Sequence, residues 1–123
     1  MASLVPDDTE YLAGLEMGGI AIATVLSQVT GIPCLFVRKE AKKYGTAKLA
    51  EGPEYAGKRI TIVEDVVTSG GQIVLSHKDL VTLGAICTQA LCVLDREQGG
   101  MEKLANAAIT LKSVITKSEL EQA

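Results

Sequence analysis

The 123-residue sequence has no tryptophan, one phenylalanine and three tyrosines. Composition therefore supplies no aromatic platform on which bases stack, and a nucleotide-like ligand has to be held mainly by polar groups. There are only three cysteines, Cys34, Cys87 and Cys92, with no CxxC pair and with apolar neighbours. A disulfide framework or a zinc centre is not expected from them; they read as reduced, buried thiols of a cytoplasmic protein. Positive charge is not in excess either, since the formal net charge is −3. No nucleic-acid partner is expected, and any anion must be bound by local groups. No apolar run approaches the roughly 20 residues that a membrane span needs. The start, MASLVPDDTEYLAG, has neither a basic n-region nor a long apolar h-region, so no signal peptide, anchor or membrane partner is expected.

What is present is 47% hydrophobic and 22% charged residues, the balance of a folded chain, over a length that supports one core domain, residues 1–123. Tyr11 to Gly14 is a short apolar strand, followed by Gly18-Gly19 and then IAIATVLSQVTG, whose spacing and terminal Gly31 suit a helix with a glycine cap. PCLFVR (33–38) and RITIVEDV (59–66) read as buried strands, being continuous and rich in β-branched residues. Between them, 39–58 is polar and interrupted by glycine and proline. A connection of that length without structure of its own is usually functional or mobile. QIVLSHKDLVTLGA (72–85) has helical period, AICTQALCVLD (85–95) is a strand, a short helix spans 101–106, and AAITLKSVI is a last strand. TKSELEQA begins a terminal helix at Thr116 or Ser118. Alternating strands and helices of these lengths predict an α/β fold, a parallel sheet with helices on both faces and ligands at the carboxyl ends of its strands.

ITIVEDVVTSGG (60–71) carries the chemistry. A buried strand delivers Glu64 and Asp65 to its carboxyl end, and alternation sends neighbouring side chains to opposite faces, so at least one carboxylate faces the crevice. Thr68, Ser69, Gly70 and Gly71 precede a helix whose free N–H groups and dipole favour an anion such as phosphate. Carboxylates that accept sugar hydroxyls beside a phosphate cradle complement a ribose 5-phosphate. Read alone, the same residues are also a strand-end charge pair and an ordinary turn. Neither the GxxxxGKS/T pattern of P-loop NTPases nor GxGxxG is present.

The stretch resembles the phosphoribosyl-pyrophosphate (PRPP) motif of type I phosphoribosyltransferases: four apolar residues, two acidic ones, then a loop of small residues. FVRKEAKKYGT (36–46) resembles the catalytic loop of the orotate phosphoribosyltransferases, GLEMGGIAIAT (14–24) their pyrophosphate loop, and VLDREQGG the segment whose arginine, here Arg96, reads orotate. The resemblance runs from about Leu12 to Leu120. It implies transfer of the phosphoribosyl group of PRPP to orotate, giving orotidine 5′-monophosphate and pyrophosphate. PRPP would be held by Glu64, Asp65, Val66, Val67, Thr68, Ser69, Gly70 and Gly71, with Arg38, Lys39, Lys42, Tyr44 and Gly18 at the pyrophosphate. Arg38, Lys39, Lys42 and Asp65 are the implied catalytic residues, and Thr68 and Arg96 the implied orotate contacts. RKEAKK sets Arg38, Lys39, Lys42 and Lys43 against one glutamate, a density that suits a polyphosphate, although a solvated surface loop has the same composition.

The resemblance also implies a homodimer, because part of the basic loop reaches a neighbouring site, and Mg²⁺ held mainly by PRPP with Glu64 and Asp65 reaching it through water. Arg96 offers a bidentate fork for the orotate carboxylate, or a salt bridge to Asp95 or Glu97. His77 is read as a surface residue without a role. Many relatives have histidine where Tyr44 stands and lysine where Gly18 stands, so backbone N–H groups are expected to hold more of the pyrophosphate here. Relatives usually begin with an N-terminal hood over the base, whereas this chain starts almost at its first core strand. The hood is expected to be largely absent, which leaves two other readings: a transferase for another base, or a PRPP-binding regulator.

Overall fold

The computed structural model describes residues 1–38, 50–51 and 56–122. After a short 3₁₀ turn, Ala2–Leu4, the elements are β1 (Tyr11–Leu15), α1 (Gly18–Thr30), β2 (Cys34–Val37) and β3 (Ala50–Glu51). They continue with β4 (Arg59–Val67), α2 (Gly71–Thr82), β5 (Ile86–Asp95), α3 (Gly100–Asn106), β6 (Thr110–Thr116) and α4 (Lys117–Gln122). The sheet order is β3-β2-β1-β4-β5-β6. Five strands are parallel, and β3 alone runs antiparallel, pairing Ala50 with Val37 and Glu51 with Phe36. That short edge pairing lies inside the stretch expected to have no regular structure.

The two faces of the sheet bury separate apolar clusters because strand side chains alternate. Ile60 and Ile62 of β4 pack with Ile73 and Leu80 of α2 and Leu104 of α3. Val63 and Leu12 pack with Ala23 and Leu26 of α1. Helices therefore cover both faces, as a parallel sheet requires. Thr61, a polar residue in this apolar strand, is satisfied by Thr9, their hydroxyl oxygens lying 2.7 Å apart. Gly31 ends α1 at φ +77° with its N–H donating to Ser27 C=O, the left-handed cap that glycine adopts without steric cost.

His77 differs from its surface reading. Its Nε2 lies 2.8 Å from Cys87 C=O, in the stretch where the β4–β5 register shifts. The helix period turns the imidazole toward β5, which the apolar pattern of α2 did not reveal.

Cys87 and Cys92 are buried, and burial pushes both thiols up to about 12; the Asp95 and Glu64 carboxylates add to the effect at Cys92. Thiolates are the reactive form. A disulfide reagent at neutral pH should modify Cys34, which is only half-buried, and leave Cys87 and Cys92 intact until denaturant is added. Fast reaction at either buried thiol in the native chain would contradict this packing.

Candidate functional site

The chain leaves β1 through α1 to β2 on one side, then returns past β1 to β4 on the other. The connections diverge between β1 and β4, so the crevice opens at the carboxyl ends of those two strands. β1 ends in Leu15 and α1 begins at Gly18; β4 carries the acidic pair just before its end at Val67.

The two carboxylates part company there. Asp65 goes to the α1 side, where its carboxylate occupies the space beside Gly18 that a Cβ would fill. An anion at the first turn of a helix is favoured by the dipole. Asp65 Oδ1 also accepts the Val66 N–H at 2.7 Å. Glu64 goes to the α2 side, is 9% exposed, and accepts the Asp65 N–H on Oε1 at 3.0 Å. It lines a cavity of about 110 Å³ together with Val66, Val67 and residues 68–73.

That cavity sits at the start of α2. Gly70 caps the helix at φ +82°, a left-handed conformation that favours glycine, and no side chain caps it. The first bond of the helix runs from Val74 N–H to Gly70 C=O at 3.1 Å. The N–H groups of Gly71, Gln72 and Ile73 are therefore the orphan donors of a helix start. Thr68 and Ser69 are exposed at its rim. Backbone donors, dipole and two hydroxyls converge on one anion-sized space.

Across β1, a second cleft of about 240 Å³ is lined by Glu16, Met17, Ile20, Phe36, Val37 and Arg38. Gly18 and Arg38 thus lie at the ends of neighbouring strands, on the same rim as Asp65. Lys39, Lys42, Lys43 and Tyr44 lie outside the described residues.

Arg96 follows β5. Its N–H donates to Val67 C=O at 2.9 Å, which fixes it next to Thr68 of the cradle. The side chain is exposed, and among the described residues no ion pair joins it to Asp95 or Glu97. Those two acids instead shape the loop. Buried Asp95 accepts the Glu97 N–H on Oδ1 at 2.9 Å, and Glu97 adopts φ +58°. Glu97 Oε1 accepts the Ser118 N–H at 2.6 Å. This hydrogen bonding by Ser118, with Lys117 nearby, holds the Glu97 carboxyl below the ordinary carboxylate range. Asp95 and Glu97 thus hold the loop backbone and α4 in place of the salt bridge to Arg96 that the sequence suggests. The available signal was T-x-x-E at Thr116 and Glu119, a capping box that starts α4 beside the loop.

Among the described residues no group of three or more His, Cys, Asp or Glu side chains could hold a metal ion, and no helix is long and apolar enough to cross a membrane. A family model described as phosphoribosyl transferase domain matches residues 6–121. An orotate phosphoribosyltransferase of Nocardioides is 47% identical over 123 residues, 100% of this chain and 69% of that protein. The crystal structure of a phosphoribosyltransferase from Corynebacterium diphtheriae superposes with a TM-score of 0.84 at 29% identity, covering 93% of this chain and 68% of the other. Mycobacterium tuberculosis orotate phosphoribosyltransferase in complex with PRPP superposes at 0.79 with 27% identity, covering 93% and 66%. The chain thus spans about two thirds of the length of these relatives.

Proposed function

We propose, for a chain that belongs to the phosphoribosyl transferase family, that it transfers the phosphoribosyl group of PRPP to orotate in pyrimidine nucleotide synthesis. The observation that carries this reading is the divergence of Glu64 and Asp65 near the end of β4, beside a start of α2 that no side chain caps. A ribose 5-phosphate spans those two features. Its phosphate lies on the N–H groups of 71–73, and its hydroxyls face the carboxylates.

In this reaction the ring nitrogen of orotate gives up its proton and bonds to the anomeric carbon, while the bond from that carbon to pyrophosphate breaks and its electron pair leaves with pyrophosphate. The transition state has oxocarbenium character, so no side-chain nucleophile is required. The protein's task is to position two anions and stabilise departing charge. Arg38 at the end of β2 and the basic residues that follow serve the pyrophosphate; Arg96 offers its planar fork to the orotate carboxylate. Mg²⁺ is part of the proposal. The donors fit it, because among the described residues the half-buried Asp65 and the buried Glu64 belong to no cluster of three acidic side chains, which suits an ion held by phosphate oxygens and water. When bound, the ion neutralises pyrophosphate charge.

A cytoplasmic homodimer completes the reading. Free cysteines support the compartment. The charge-free helix α1, which leaves Val25 58% and Val29 68% exposed, supports the dimer.

The test is an absorbance assay of orotate with PRPP and Mg²⁺, paired with thermal melts in PRPP. Orotate consumption supports the proposal. A PRPP-dependent rise in melting temperature without consumption of orotate would replace it by a transferase for another base or a PRPP-binding regulator. Replacing Glu97 by Ala releases the loop from α4 and should raise KM for orotate about fivefold, the size of a lost cap, with KM for PRPP unchanged. Parallel rises in both constants would show that the loop supports the whole site and not Arg96 in particular.

A further inference from the structure

Lys103, midway along α3, belongs to no motif of the sequence, yet its side chain approaches the first residue of α2 beside the phosphate cradle. Its Nζ is 3.7 Å from the point where a Cβ on Gly71 would stand, and Ser69 Oγ is 3.8 Å from the same point. Gly71 is the first residue of α2, so the ammonium and the hydroxyl both lie beside the residue at which the helix starts. Its backbone is fixed by Lys103 N–H donating to Gly99 C=O at 3.0 Å and by Leu104, which is fully buried. Among the described residues no carboxylate pairs with Lys103, so its charge is available to a ligand.

We propose that Lys103 is a PRPP-binding residue that supplies the side-chain cation for the 5′-phosphate. The inference rests on the reading of residues 68–71 as the phosphate cradle. A phosphate monoester carries close to two negative charges at neutral pH. Neutral N–H groups and hydroxyls orient such a group, but a compact ammonium offsets its charge directly. The far side of the crevice has Arg38 for the pyrophosphate, so each end of PRPP receives its own cation. Because the 5′-phosphate is untouched by the reaction, Lys103 binds substrate and transition state alike. Its removal should therefore raise KM for PRPP and leave kcat unchanged.

The experiment compares Lys103→Ala, Lys103→Arg and the parent by titration calorimetry with ribose 5-phosphate and, separately, with pyrophosphate. Lys78→Ala, on the exposed side of α2, controls for net charge. Expected are an affinity for ribose 5-phosphate about tenfold weaker in Lys103→Ala, the size of a lost charge-assisted hydrogen bond, most of it restored in Lys103→Arg, and pyrophosphate binding unchanged. Lys103 is exposed, so ligand-free melting temperatures should coincide. Equal affinity of Lys103→Ala and parent for ribose 5-phosphate would overturn the assignment. So would an equal loss for both ligands, or the same loss in Lys78→Ala. If the parent binds PRPP but not ribose 5-phosphate, the assignment fails while the proposed function stands. If it binds neither, the proposed function fails as well.

Discussion

Asp65→Asn should remove most of the stabilisation that PRPP confers while leaving the ligand-free chain intact. At a ligand concentration of about 100 times Kd, binding adds about 2.7 kcal/mol. For a domain of this size that is about 10 °C in melting temperature. Asn keeps the oxygen that accepts the Val66 N–H and keeps the volume beside Gly18, so the ligand-free melting point should move by less than about 2 °C. The charge that faces the ribose hydroxyls is gone, and a hydrogen bond to a charged group is worth about 1.5–3 kcal/mol. Affinity should fall roughly 50-fold, and the PRPP shift at the same concentration should shrink to about 3 °C. An undiminished shift would mean that Asp65 does not meet the ligand and that the acidic pair is a strand-end charge pair after all. Glu64→Gln is the informative companion. Its buried carboxylate borders Cys92 and the cradle, so its substitution tests the phosphate side of the crevice instead of the pyrophosphate side.

The parts of this site that were legible in the sequence are those set by local physics. The run Ile60 to Val63 is continuous and β-branched because the strand is buried on both faces, and the two-residue alternation predicted that Glu64 and Asp65 would separate. Gly31 and Gly70 mark helix ends through their left-handed backbone. What escaped depends on contacts between distant residues. β3 is two residues long and exists through its pairing with Phe36 and Val37, a tertiary event that a Gly- and Pro-interrupted stretch does not announce. Glu97 finds its partner at Ser118 on another element. Lys103 is an ordinary helix lysine until α3 is laid against α2. The sequence suggests Gly18 as a backbone donor to pyrophosphate, and the structure adds a reason no local pattern contains: it makes room for Asp65.

That reason separates two adjacent glycines by experiment. A Cβ on Gly18 would overlap the Asp65 carboxylate, a side chain, while a Cβ on Gly19 would overlap the Val63 carbonyl, backbone of the central strand. A side chain can swing away at little cost to the fold, but a strand cannot. Gly19→Ala should therefore lift α1 from β4 and cost about 3 kcal/mol, the upper range for overpacking a core. It should lower the melting temperature by about 10 °C whether or not ligand is present. Gly18→Ala should cost less stability and instead displace the carboxylate, weakening PRPP by about as much as Asp65→Asn. The two substitutions remove one interaction, so combining them should weaken PRPP hardly more than either alone, the signature of coupled neighbours. Additive losses would show that Gly18 contributes its own backbone contact to the ligand, as the sequence reading held. A Gly18→Ala chain that binds PRPP like the parent would show that the seat beside α1 is not where Asp65 acts. The same close packing that lets helix α1 start against β4 is then what aims the charge, and stability and binding divide between two neighbouring residues according to whether the obstructed atom is free to move.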